Sequence, residues 1–75
     1  AQATVNLREA HYWRGRSAQD DRNYAEAANA YRAALRVDPV HAESLCNLCF
    51  VLTMSEDYTA AIAAGRAAIA ARPEY

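Results

Sequence analysis

The residues best equipped for chemistry are two cysteines, Cys46 and Cys49, which form a Cys-X-X-Cys pair. Such a pair can act as a redox dithiol when its first thiol lies at a helix N-terminus in a βαβ setting, because the helix dipole lowers the pKa of that thiol. The pair can also provide half of a zinc site, which then needs two further ligands. His11 and His41 are the histidines of the chain, and their spacing does not complete such a site.

The serine hydroxyls do not form a recognisable catalytic set. Ser17, Ser44 and Ser55 show no arrangement of nucleophile and general base that the sequence alone supports. We therefore predict that the chain is not an enzyme and has no cofactor and no bound metal. We interpret the two cysteines as packing residues, since free cysteine is often buried; a thiol or metal site stays open as the weaker alternative. Two unpaired thiols favour a reducing compartment, so we expect a cytoplasmic location.

The composition indicates the elements that carry these residues. Alanine dominates the apolar residues, and alanine loses no side-chain entropy in a helix. Two glycines and two prolines are too few for an all-β chain with a tight turn about every ten residues. We predict an all-α fold. A chain of 75 residues forms at most one small domain, which buries only about 60% of its unfolded surface.

Charge and hydropathy exclude two classes of partner. The formal net charge is -1, and the acidic and basic residues are spread along the chain, so no basic stripe is available to neutralise a phosphate backbone. The most apolar stretch, residues 59–71, is interrupted by Gly65 and Arg66, and its alanines are too weakly hydrophobic for a segment that spans a bilayer. We expect neither nucleic acid nor a membrane as a partner.

The chain repeats itself with an offset of 34 residues. A period of about 20 to 50 residues is typical of solenoid proteins. The offset places Tyr24 on Tyr58, Ala27 on Ala61, Ala30 on Ala64, Arg32-Ala33-Ala34 on Arg66-Ala67-Ala68, and Pro39 on Pro73.

Local signals place two helices in each copy of the repeat. In the first copy, Asn6 with Glu9 predicts a helix that runs to about Asp20, and Asn23 predicts a second helix that ends before Pro39. In the second copy we predict helices over 41–54 and 58–71, the latter starting after Asp57 and ending before Pro73. The result is four antiparallel helices in two hairpins.

The recurring residues resemble the tetratricopeptide repeat. Gly15, Ala27, Tyr31 and Pro39 match its pattern of small, small, aromatic and closing proline positions, and its period is about 34 residues. The resemblance implies a fragment of a right-handed α-solenoid, with residues 1–7 as a lead-in, 8–41 as the first repeat and 42–75 as the second.

The match departs from the family pattern at two places. His11 and Arg14 stand where the first helix is expected to carry a large apolar pair, and Gly65 stands where the second copy is expected to carry an aromatic residue. We expect Tyr12 and Trp13, one step round the helix, to take over part of the missing packing.

The family implies a function in protein–protein interaction. Its stacked hairpins hold a peptide or helix of a partner in a concave groove, which the first helix of each repeat lines. Carried over position by position, the predicted partner-binding residues are Tyr12, Trp13, Arg16, Gln19, Asn47, Phe50 and Met54. Each large apolar residue among them is as well explained by packing between repeats. The two-carboxylate clamp of chaperone adaptors is not expected, because only Asn47 stands at a matching position.

Two further expectations concern the context of the repeats. The alternative to an interaction scaffold is a non-catalytic repeat region of a larger bacterial enzyme, such as a glycosyltransferase. Repeats bury their faces by stacking on neighbours, yet the last predicted helix offers an apolar side to no neighbour. We therefore expect that the native protein continues with more helices, and that the isolated chain either forms a homo-oligomer through that helix by way of Ile62, Arg66 and Ile69 or is only marginally folded.

Overall fold

The structure, a computed structural model, describes residues 2–72. Over this range the chain forms four helices: α1 (Gln2–Asp20), α2 (Tyr24–Val37), α3 (Ala42–Met54) and α4 (Tyr58–Ala71). The helices α1 and α2 form one hairpin, α3 and α4 form the other, and α2 packs on α3. The predicted all-α hairpin fold is confirmed. Pro73, which we predicted to follow the last helix, lies outside the described residues.

The helix α1 begins earlier than predicted. The sequence placed its start at Asn6, whereas the structure places it at Gln2, so the helix includes most of the predicted lead-in. The physical reason is that residues 2–6 contain no glycine or proline to stop a helix. The Asn6 side chain does not cap the helix but accepts a hydrogen bond of 3.0 Å from the Gln2 amide, one turn earlier.

The second helix of each hairpin starts at the predicted cap. The Asn23 side chain accepts a hydrogen bond from the Glu26 backbone N–H, and the Asp57 side chain accepts one from the Ala60 N–H, both at 3.4 Å. Each bond satisfies one of the backbone donors that the first turn of a helix leaves unpaired. These two starts, and the hairpins that depend on them, are correctly predicted from the sequence.

The two hairpin turns share one backbone geometry. Arg22 has φ 62° and Glu56 has φ 64°, so both residues adopt the left-handed conformation that costs a non-glycine residue energy. Asn23 N donates to Ala18 O at 2.8 Å, and Asp57 N donates to Leu52 O at 2.9 Å. All of these positions are related by the same 34-residue offset, so the repeat is present in the backbone as well as in the sequence.

The core is organised round Tyr31, which is 0% exposed. A Cβ atom placed on Gly15 would lie 2.5 Å from Cε1 of the Tyr31 ring, so α1 and α2 approach closely only because Gly15 has no side chain. In the second hairpin the larger residue lies on the first helix and the glycine on the second. Cys49 lies opposite Gly65, and the Cys49 Sγ is 3.4 Å from a Cβ placed on Gly65. The close approach predicted at Gly15 is therefore real, and the two hairpins achieve it differently.

The departure on the first helix is resolved by one of the two expected residues. Tyr12 is buried in the same cluster as Tyr31 and Leu48. Trp13 does not share this role, because it is 60% exposed. Tyr12 thus replaces part of the missing apolar pair, while Trp13 presents its ring to the surface.

Candidate partner-binding surface

A hydrogen-bond network joins α1, α2 and α3 at the predicted groove. The Tyr12 hydroxyl oxygen accepts from Asn47 Nδ2 at 3.2 Å and from Arg16 Nη1 at 3.4 Å. The Tyr31 hydroxyl donates to Gln19 Oε1 at 2.6 Å. Four of the seven predicted partner-binding residues are thereby brought together round two tyrosine hydroxyls: Tyr12, Arg16, Gln19 and Asn47.

Most of Tyr12 belongs to the core. Its side chain is 9% exposed, and its ring lies 5.4 Å from the His41 ring and 6.0 Å from the Tyr31 ring, centroid to centroid. Aromatic pairs at such separations add stability beyond the burial of their area. Only the hydroxyl of Tyr12 is therefore placed to act at a surface, which sequence alone did not indicate.

The other three predicted residues are exposed and apolar. Phe50 is 46% exposed and Met54 is 49% exposed, both on α3. Phe50 rests edge-on against Tyr24, with 6.4 Å between ring centroids. Trp13, on α1, packs its edge on Tyr12, and the Arg16 guanidinium lies 5.9 Å from its ring centroid. Exposed aromatic and methionine side chains beside polar groups are typical of an interaction surface.

Burial controls the ionisation of Tyr31. It raises the pKa of Tyr31 to about 12, against the opposing effects of a hydrogen bond from Asn47 and the positive charge of Arg16. The phenol therefore stays protonated at neutral pH and keeps its proton on the bond to Gln19.

The raised pKa predicts a pH dependence of stability. The folded pKa lies above the ordinary value of about 10, so the contribution of Tyr31 is complete below about pH 10 and is lost as the pH rises towards 12. We expect the melting temperature of the wild type to fall over this range and that of Tyr31→Phe, which cannot ionise there, to fall less. Thermal melts from pH 8 to pH 12 measure the difference. Equal slopes in the two proteins would contradict the assignment.

Two ion pairs connect the ends of helices at a distance from this network. Arg8 Nη1 lies 2.8 Å from Asp38 Oδ2, which joins α1 to the turn after α2, and Arg72 Nη2 lies 3.2 Å from Glu43 Oε2. The hydrogen bond from Arg8 lowers the pKa of Asp38. Each pair connects the two helices of one hairpin, so we assign these charged residues a structural role.

The two thiols differ in their surroundings. Cys49 is half-buried and packs against the core, as expected of a packing residue, whereas Cys46 is exposed. The packing interpretation was therefore wrong for Cys46. In the described part of the chain, no group of three or more His, Cys, Asp and Glu side chains is placed to hold a metal ion.

A contact between a histidine and a serine was not predicted from the sequence. His41 Nδ1 lies 2.7 Å from Ser44 Oγ, and His41 Nε2 lies 3.5 Å from a Glu43 oxygen. The three-residue spacing of His41 and Ser44 along a helix was the available signal. The set has the residue types of a nucleophilic site, but Ser44 is 0% exposed, so its hydroxyl is closed to a substrate. The contact instead satisfies polar groups at the start of α3.

Comparisons with known proteins agree with this geometry. The family model described as Tetratricopeptide repeat matches residues 12–75, which include the C-terminal part of α1 and all of the later helices. No curated protein matches the chain. None of the helices within residues 2–72 is long and apolar enough to cross a membrane.

Proposed function

The chain belongs to the tetratricopeptide repeat family, and from this premise we propose that it binds a peptide or helix of a partner protein across α1 and α3. Repeats of this family are generally non-catalytic modules for protein–protein interaction. The observation that carries the proposal is the exposure of Phe50 and Met54 directly along the helix from Asn47. An apolar anchor next to a fixed amide offers both burial and hydrogen bonding to a ligand.

The polar part of this surface is held in place before a partner arrives. Asn47 and Arg16 share the Tyr12 hydroxyl, and Gln19 accepts from Tyr31. Side chains fixed in this way lose little conformational entropy on binding. The fixed network therefore favours affinity for a peptide whose backbone or side chains reach the Asn47 amide and the Arg16 guanidinium.

The apolar part provides the binding energy. A few central aromatic or methionine residues usually dominate an interface, and their polar surroundings exclude water. Phe50 and Met54 lie one turn apart on α3 and form such a pair. We propose that they receive apolar side chains of the partner in a reducing compartment, as the free thiol of Cys46 suggests. The same surface would act alike within a longer chain, including a larger enzyme.

Alanine substitutions test the proposal. With the partner obtained by photo-crosslinking from a cell extract, Phe50→Ala and Met54→Ala should each lower its affinity by about 1–3 kcal/mol, or roughly 5- to 150-fold. Helicity should stay nearly constant, because both side chains are about half exposed. Isothermal titration calorimetry and circular dichroism measure the two quantities.

The matched control is Ile62→Ala, which removes a similarly exposed apolar side chain from α4. It should leave the affinity unchanged, because α4 does not contribute to the surface across α1 and α3. Equal losses in all three variants, or none in any of them, would show that the partner binds elsewhere.

A further inference from the structure

The helix α4 presents an apolar concavity of ≈ 390 Å³ to the solvent. Tyr58, Ile62 and Ile69 are exposed along one side of it, and Arg66 is the only charged residue of the helix. The floor is formed where Gly65 stands opposite Cys49. An exposed apolar surface of this kind marks a site of association.

The chain contains its own example of how such a surface is covered. The helix α2 stands 34 residues before α4 in the repeat, and α3 packs on it. At that junction Phe50 of α3 packs against Tyr24 of α2. Asn47 of α3 donates to the Tyr12 hydroxyl and also forms a hydrogen bond with Tyr31. The helix that occupies the place of α3 one repeat earlier is α1.

Large and small residues are exchanged between the α2–α3 junction and a contact of α1 with the open surface of α4. At the α2–α3 junction the small Asn47 meets two large side chains: it donates to the Tyr12 hydroxyl at 3.2 Å and forms a hydrogen bond with Tyr31. At the open surface of α4, the residues equivalent to those rings are small, Cys46 and Gly65. The residue equivalent to Asn47 is Trp13, the largest side chain in the chain and 60% exposed. A second α1 placed on α4 as α3 lies on α2 would bring this ring to the gap beside Gly65.

Other pairs at the junction have workable equivalents. Within the chain, Tyr24 contacts Phe50. The equivalent residues between two copies are Tyr58 of one copy and Arg16 of the other, which pair an aromatic ring with a guanidinium. The small Ala28 and the larger Val51, both in the core cluster, become Ile62 and Ser17, so small and large are exchanged again.

The least favourable replacement sets the strength of the contact. Leu48 is buried at the junction within the chain, and its equivalent on α1 is Arg14. Arg14 can keep its charge in water only by laying its aliphatic stem along the apolar surface. The contact is therefore weak compared with the junction inside the chain, and its formation depends on protein concentration.

We propose that a second copy of this chain docks α1 on α4, with Trp13 in the concavity beside Gly65. The contact uses Trp13 and Arg16, which also belong to the partner-binding surface across α1 and α3, and adds α4 of the other copy; it is head-to-tail. Because the contact joins two different surfaces, its repetition between further copies gives an open chain rather than a closed dimer.

The single tryptophan of the chain makes the test direct. Sedimentation equilibrium of the 75-residue chain, from micromolar to millimolar concentration, should show a rising average mass. The emission of Trp13 should shift to shorter wavelength over the same range, because the ring leaves water. Both changes should follow one binding curve.

Two variants attack the contact from its two sides. Ile69→Asp places a charge in the apolar concavity, and Trp13→Ala removes the entering ring. Each should weaken association by about tenfold or more with helicity retained, since both positions border solvent. Val40→Ala, an exposed apolar residue between α2 and α3, should associate like the wild type.

Three results would overturn the proposal. They are a monomer at every concentration, association with no change in Trp13 emission, and association of Ile69→Asp as strong as that of the wild type. None of these depends on the partner that binds across α1 and α3, so the two proposals fail or succeed separately.

Discussion

Replacing Gly15 by alanine should destabilise the fold by about 2 kcal/mol or more. The added Cβ would lie 2.5, 2.7 and 2.9 Å from three atoms of the Tyr31 ring. The ring cannot move aside, because it is 0% exposed and its hydroxyl is bonded to Gln19. The backbone of α1 must shift away from α2 instead. This cost exceeds the gain of about 1 kcal/mol that alanine normally brings to a helix interior in place of glycine.

The second glycine provides the control. At Gly65 an added Cβ would meet only the Cys49 sulfur, at 3.4 Å, beside an open concavity. We expect Gly65→Ala to be neutral or to stabilise the fold by up to about 1 kcal/mol, since the helix-propensity gain is not opposed by a clash. Urea unfolding of the two variants beside the wild type compares them. Equal shifts of the two midpoints would contradict the close approach of α1 and α2 at Gly15.

Replacing Tyr31 by alanine should have the largest effect of any substitution considered. Removing a fully buried aromatic side chain costs about 3–5 kcal/mol, and a domain of this length has about 4–11 kcal/mol in total. The loss includes the hydrogen bond to Gln19 and the contact with the Tyr12 ring. We therefore expect Tyr31→Ala to lose a large share of its stability and to melt well below the wild type.

The matched control for this substitution is Tyr58→Ala, because Tyr58 is exposed on α4. Its removal should change the free energy of unfolding by no more than about 0.5 kcal/mol. Far-ultraviolet circular dichroism during heating separates the two cases. A cooperative transition in Tyr31→Ala close to that of the wild type would mean that the core does not depend on this ring.

The sequence was informative about most of the secondary structure. The 34-residue offset, the caps at Asn23 and Asp57 and the spacing of apolar residues placed the helices and hairpins correctly. The start of α1 was misplaced, because an asparagine followed by a glutamate resembles a cap even when the preceding residues also favour a helix. Cap patterns show where a helix can start but do not exclude an earlier start.

The candidate surface was predictable only in outline. Helical periodicity assigns Tyr12 and Trp13 to neighbouring directions, and both are large aromatic residues. Which of them is buried depends on the position of α3, and the structure buries Tyr12 through contacts with His41 and Asn47. The exposure of Cys46 has the same origin. Contacts between helices far apart in sequence decide such cases, and a repeat pattern does not encode them residue by residue.

Site-specific photo-crosslinking tests the central claim most directly. A crosslinking amino acid is placed at Phe50 or Met54, on the proposed surface, and at Asn29 or Ala63, exposed positions on α2 and α4. We expect positions 50 and 54 to capture the same discrete partner from a native cell extract and positions 29 and 63 not to capture it. Capture of that partner at 29 and 63 but not at 50 and 54 would contradict binding across α1 and α3.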